Sequence, residues 1–164
     1  MVTIYLAGPD VFEPNAHEVG EKLKALCLSY GFEGHFPLDN EICVEGTPYE
    51  LAKAIREANI ALIHKCDIVL ANLNPFRGIE PDSGTVYEVG YAHALGKKVY
   101  GYANDQDEMI KRIQKTQNLA ADAKYCLDEK SIEDFGLSHN LMMLDVVVTN
   151  DAEATLAYIK EHLS

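Results

Sequence analysis

Several signatures are missing from this chain, and each absence removes a class of function. No GxGxxG and no GxxxxGK[ST] occurs, which disfavours a dinucleotide site and a P-loop. The 4 cysteines, Cys27, Cys43, Cys66 and Cys126, form no CxxC pair, and the 6 histidines show no HxxxH spacing, so a metal site is not expected. The cysteines read instead as packing residues of a reducing compartment. No run of 18 apolar residues appears, which argues against a membrane span. The chain opens on the strand-like MVTIYLAGP rather than on a basic leader, so the expectation is a cytoplasmic protein. Positive charge is scarce too. With 14 Lys and Arg against 26 Asp and Glu, the net charge is −12, unsuited to DNA, RNA or anionic membrane as partner. Repeats, linkers and low-complexity tracts are also missing.

What is present is 164 residues, 48% of them hydrophobic, enough for a single domain over 1–164 with a sizeable core. Val2–Ala7 is a β-branched, apolar run ended by Gly8-Pro9-Asp10, a buried first strand leading into a turn. A helix is expected over Asn15–Tyr30, with Val19, Leu23, Leu26 and Cys27 at helical spacing and Gly31 as its stop. Phe32–Pro37 reads as a second strand and Leu38–Gly46 as a polar loop. Thr47-Pro48 opens another helix running to about Lys65. Asp67–Leu73 is apolar enough for a strand covered on both faces. Lys97–Tyr102 gives a fourth strand and Asp105–Gln117 a further helix. Ala123–Leu127 suggests a strand, Gly136–His139 a turn, and Val146–Val148 another apolar segment. Asp151–Leu163 closes the chain as a helix. Strands alternating with helices predict a parallel sheet with helices on both faces and right-handed crossovers. Ligands of such folds bind beyond the carboxyl ends of the strands. Gly8–Phe12, Asn74–Asp82 and the start of the following helix converge there.

That third segment carries the chemistry. Arg77–Leu95 begins with turn residues and becomes an apolar run from Thr85, with one carboxylate, Glu88, inside it. Asp82 or Ser83 can cap a helix starting near Ser83 or Gly84. Val86, Val89, Gly90 and His93 then share one side, and Glu88, Tyr91, Ala92 and Leu95 another. Gly90 would permit close approach to a strand. Glu88 would point into a cleft, and an unpaired buried carboxylate there costs several kcal/mol in rough terms. Asp82, six residues earlier, is about 120° away on a continuous helix but converges if it belongs to the loop. Two carboxylates in unlike surroundings can divide labour, one ionised and one carrying a proton. The structural alternative is a buried helix whose Glu88 pairs with a Lys or Arg.

Tyr5-Leu6-Ala7-Gly8-Pro9, Cys66-Asp67-Ile68-Val69-Leu70-Ala71, Phe76-Arg77-Gly78, Pro81-Asp82-Ser83-Gly84-Thr85 and Glu88-Val89-Gly90-Tyr91-Ala92 together resemble the nucleoside 2-deoxyribosyltransferase family, over nearly the whole chain. The resemblance implies a flavodoxin-like, doubly wound, mainly parallel sheet. It implies transfer of a 2-deoxyribosyl group between nucleobases, with retention, through a covalent sugar–enzyme intermediate and without a cofactor. The substrates would be a small-molecule deoxynucleoside and a free base. Glu88 matches the nucleophile, Tyr5 the tyrosine that orients it, and Asp82 the aspartate that contacts the base and assists its protonation. Asn140 and Met142 match residues that a neighbouring subunit lends to the sugar pocket, so a homo-oligomer is expected, a dimer or a hexamer of dimers. Gly8, Phe12, Phe76, Arg77 and Gly84 are further substrate-binding candidates, Phe12 and Phe76 as walls for the base. Arg77 would orient the base or pair with a carboxylate. Asn59 stands where many relatives carry an aspartate, and an amide cannot supply a proton at neutral pH.

Glu88 would be ionised, held by Tyr5 and by the N-terminal turn of its helix. A carboxylate captures the oxocarbenium-like sugar, and a proton donor makes the base a neutral leaving group. A hydrolase acting on deoxynucleosides or deoxynucleotides through the same Glu88 is the competing enzyme. A non-catalytic nucleoside-binding module is the competing reading of another class.

Overall fold

The computed structural model describes residues 1–164 except Glu41, Val44 and Ser164. Five parallel strands form one sheet: β1 (Val2–Ala7), β2 (Phe32–His35), β3 (Ile68–Asn72), β4 (Lys98–Tyr102) and β5 (Val147–Thr149), in the order β2-β1-β3-β4-β5. This is the flavodoxin-like order, whose switch point lies between β1 and β3. Side chains alternate across the strands and so feed separate cores. Ile4, Leu6, Ile68, Leu70, Tyr100 and Tyr102 face one layer with Cys27, Phe36, Leu156 and Ile159. That layer is built by α1 (Ala16–Ser29) and α5 (Ala152–His162). Tyr5, Ala7, Val69, Ala71 and Val99 face the other layer with Ile63, Val89 and Ala92. Those last residues belong to α2 (Pro48–Lys65) and α3 (Ser83–Ala94). Gly20 lets α1 lie on the Phe36 ring, since a Cβ there would stand 2.5 Å from Phe36 Cδ1.

Local chemistry sets the ends of these elements. Thr47 and Glu50 exchange hydrogen bonds in a capping box before α2. β2 stops at His35, short of the Pro37 expected from sequence, because Pro37 has no N–H for the ladder and opens a single 3-10 turn over Pro37–Asp39. Of the polar loop expected over Leu38–Gly46, Glu41 and Val44 lie outside the described residues.

The second half departs further from expectation. The helix expected over Asp105–Gln117 is the shorter α4 (Met109–Thr116). Asp105 Oδ1 accepts from the Asp107 N–H at 2.9 Å, a local turn that delays the helix. Ala123–Leu127 is not a strand: it carries one isolated bridge, Tyr125 with Ser131, around a turn with Glu129 at φ 64°. The sheet edge beside β4 is taken by β5 instead. Cys27 and Cys66 are fully buried, as a packing role requires, whereas Cys43 is exposed. Among the described residues, no helix is long and apolar enough to cross a membrane.

Candidate active site

Tyr5 points from β1 into the layer beneath α2 and α3 and is 0% exposed. Its hydroxyl donates to Glu88 Oε1 at 2.7 Å. The phenol is thus locked as a donor, because burial and the neighbouring carboxylate both push its pKa far upward. Glu88 is the sixth residue of α3, beyond the first turn. The expectation that the helix N-terminus would help hold it is therefore corrected: its supports are side chains. Nor does any Lys or Arg pair with it among the described residues, which removes the structural alternative of a buried ion pair.

The electrostatics follow from that placement. Burial pushes the Glu88 carboxyl up to about 7, and the Asp82 charge adds to the rise. The Tyr5 hydrogen bond and the Asn59 amide on α2 act in the opposite direction. Glu88 therefore ionises less readily than an exposed carboxyl.

Asp82 sits at the N-cap of α3, not within it, which is how it reaches the same cavity as Glu88. Its Oδ2 accepts from the Thr85 N–H at 2.9 Å and from the Thr85 hydroxyl at 3.0 Å. Oδ1 has no protein partner among the described residues. The cavity, about 140 Å³, is lined by Gly8, Val11, Phe12, Pro37, Asn59, Asp82, Gly84, Thr85 and Glu88. Gly8 is required by close approach: a Cβ would meet Asp10 Oδ2 at 2.4 Å and Asn72 Cβ at 2.8 Å. A second cavity of about 410 Å³ between α2 and α3 shares Asn59, Gly84 and Glu88 with the first. Asn59 Oδ1 is buried and unpartnered among the described residues, an acceptor left for a ligand.

Phe12 stacks on Phe76 with centroids 5.2 Å apart and planes 18° from parallel. Only Phe12 lines the small cavity, so Phe76 acts through it. Arg77, in a left-handed conformation at φ 53°, lays its guanidinium over Phe76 at 4.6 Å and Phe12 at 5.2 Å. It pairs with no carboxylate among the described residues, and its contact is cation–π. Asn140 and Met142 do not line the Glu88 cavity of their own chain. Asn140 caps a short 3-10 turn and donates to Glu133 Oε2 at 2.9 Å. Met142 is 82% exposed and borders a separate cavity with Val86, Val89, Gly90 and His93. Gly90 is exposed, with nothing within 4 Å of a Cβ added there, so it does not serve the strand contact expected of it.

Sequence reasoning missed the polar chain that fixes these loops. Asn72 Nδ2 donates to Asp10 Oδ2 at 2.9 Å. Asn72 Oδ1 accepts from the Asn74 N–H and Nδ2, and Asn74 Oδ1 accepts from the Asn104 N–H. The segments after β1, β3 and β4 are thereby tied together. In sequence Asp10 and Asn74 carry only a turn signal and Asn72 falls in an expected strand, and nothing there pairs them.

A flavodoxin-like α/β protein with a tyrosine-held carboxylate in a cavity at its switch point is what fold and site define. The chain belongs to the nucleoside 2-deoxyribosyltransferase family, whose model matches residues 4–142. Its structure is similar to the 2-desoxiribosyltransferase from Leishmania mexicana, with a TM-score of 0.81 and 36% identity over 99% of each chain. It also shares its fold with the 2-deoxyribosyltransferase from Bacillus psychrosaccharolyticus, with a TM-score of 0.62 and 20% identity over 96% of this chain and 92% of that one. An uncharacterized protein of Schizosaccharomyces pombe is 38% identical over 105 residues, 62% of this chain. The match spans 50% of that curated relative's length.

Proposed function

We propose that this protein moves a 2-deoxyribosyl group from the base of a 2′-deoxynucleoside to another free base, with retention at C1′. The observation that carries the reading is the 2.7 Å hydrogen bond from Tyr5 to Glu88, in a cavity that Asp82 also lines. The ionised Glu88 attacks C1′ with the oxygen not held by Tyr5. The C1′–N bond breaks, and its electron pair leaves with the base. A proton delivered from the Asp82 side makes that base neutral. The sugar is then an ester of Glu88. A nitrogen of the incoming base attacks C1′ and its proton returns to the Asp82 side, the ester C1′–O bond breaks to release the Glu88 carboxylate, and two inversions give net retention.

The raised Glu88 pKa fits this role. A carboxylate denied water interacts more strongly with a developing oxocarbenium charge than a solvated one. The Asn59 acceptor faces the base, and Phe12, backed by Phe76 and Arg77, walls it. Asn140 and Met142 serve the Glu88 cavity of a neighbouring subunit in a homo-oligomer, which is why they stand exposed on their own chain.

Incubation with 2′-deoxyinosine and adenine, with products resolved by chromatography, tests the proposal. Deoxyadenosine and hypoxanthine are expected, and Glu88→Ala should lower the rate by about three orders of magnitude or more. Free deoxyribose as the sole sugar product would mean hydrolysis, and binding without turnover would mean a carrier. Near-normal transfer by Glu88→Ala would remove the nucleophile.

A further inference from the structure

Arg112 on α4 is only 6% exposed, yet its Nε and Nη1 have no hydrogen-bond partner among the described residues. Nη2 donates to the Ser138 carbonyl. No carboxylate pairs with the guanidinium among the described residues. Arginine cannot relieve such burial by losing its proton, so an unpaired buried guanidinium calls for an anion. Nearby His139 does not add to the positive charge, because its pKa is lowered, first by burial and further by Arg112 itself.

Arg112 lines a cavity of about 700 Å³, and Lys111 and Lys115 line it too. Lys111 is shared with Glu108 at 2.5 Å, whereas Lys115 has no ion pair among the described residues. Asp105 and Asp107 also border the cavity, as exposed residues, and Asp105 Oδ1 is engaged by the Asp107 N–H. A buried guanidinium, and a rim ammonium with no ion pair among the described residues, put positive charge into this cavity of a chain whose net charge is −12. The space exceeds what one oxyanion fills and falls in the range of mononucleotide-sized ligands. No lining residue is shared with the Glu88 cavity.

We propose that this cavity binds the phosphate group of a small phosphorylated metabolite, with Arg112 as the forked donor and Lys115 as the second cation. Pro75, Gly78 and Ile79 also line it and bracket Phe76 and Arg77 in the chain. An occupant would therefore hold the loop whose aromatic ring stacks on Phe12 at the nucleoside site.

Calorimetric titration of the whole chain with inorganic phosphate, against chloride at matched ionic strength, tests this. Saturable binding in the millimolar range is expected. Lys115→Glu should weaken it by about tenfold or more while leaving the thermal melt intact, since Lys115 is exposed. Arg112→Gln should abolish it, and Lys115→Glu keeps the test meaningful if that variant folds poorly. The proposal is overturned by no saturation up to about 50 mM, a concentration at which even a weak millimolar site would be full. It is overturned equally by unchanged binding in Lys115→Glu, or by displacement of phosphate by deoxyinosine. A change of oligomeric state in Lys115→Glu without phosphate binding by the wild type would assign the cavity to an acidic side chain of a second copy, and would also overturn it.

Discussion

Replacing Glu88 by Gln should stabilise the protein in alkaline solution and barely affect it in acid. The carboxyl titrates near 4.5 when exposed and at about 7 in the folded chain. Between those values the folded state binds more protons than the unfolded state, so stability falls as pH rises, and the whole penalty is present above about 7. The gap corresponds to at most about 3 kcal/mol, and partial access of water to the cleft brings it nearer ~2 kcal/mol. Gln cannot ionise, and its carbonyl can still accept from the Tyr5 hydroxyl. For a domain of this size ~1 kcal/mol moves Tm by about 2–4 °C. The variant should melt roughly 4–8 °C above the wild type at pH 8.5 and within about 2 °C of it at pH 5. Calorimetric or circular dichroism melts of both proteins across that range measure the gap. A gap independent of pH would mean that Glu88 is not the desolvated, protonatable group described above.

The same ionisation governs rate. With ionised Glu88 as the active form, kcat/KM should rise with pH through about 7. In Tyr5→Phe this acid limb should move upward by about one pH unit, because the lost hydrogen bond favoured the ionised form; an unmoved limb would leave Tyr5 a merely structural role. Mixing inactive Glu88→Ala and Asn140→Ala chains, with subunit exchange, should restore about a quarter of wild-type activity. Random pairing makes half of the dimers mixed, and each mixed dimer has one complete site. Recovery of no activity, with exchange verified by native mass spectrometry, would place each site within one chain.

Much of the fold was legible because burial leaves a simple mark. Apolar runs such as Val2–Ala7 and Asp67–Leu73 read as strands covered on both faces, and the structure buries β1 over Ile4–Ala7 and β3 over Ile68–Ala71. The order of those strands is not written in their periodicity and came with the family motifs. Glu88 was conspicuous as a lone charge in an apolar helix. Its partner was less so, since a tyrosine in a strand usually means core, and Tyr5 is core as well as donor. The loops were illegible for a physical reason. Arg77 reads in sequence as a group that orients the base or pairs with a carboxylate, but its position is set by ring faces brought together from separate loops, Phe12 and Phe76. Arg112 lay inside a segment read only as helix, and its contact with the Ser138 carbonyl joins positions 26 residues apart. Between α4 and β5 the chain is held by side chain–backbone bonds, such as Gln114 to the Ala121 and Ala123 carbonyls, which have no periodic signature.

Asp82 serves two demands that pull in opposite directions, and its two oxygens separate them. Capping α3 asks for an acceptor, and Oδ2 supplies it to Thr85. Relaying a proton to a departing base asks for an oxygen left free to face that base, and among the described residues Oδ1 is the one that makes no hydrogen bond. The substitution Asp82→Asn would preserve the first function, since asparagine and aspartate cap helices about equally well, within roughly 0.5 kcal/mol. It would lose the second, because an amide is no acid at neutral pH. The variant should therefore melt nearly as the wild type does while transferring from 2′-deoxyinosine more slowly by about 10² or more. From 7-methyl-2′-deoxyguanosine, whose base is already cationic and departs without a proton, transfer should fall far less. Steady-state rates on the two donors measure the contrast, and an equal loss on both would assign Asp82 to holding the base and the helix rather than to protonation.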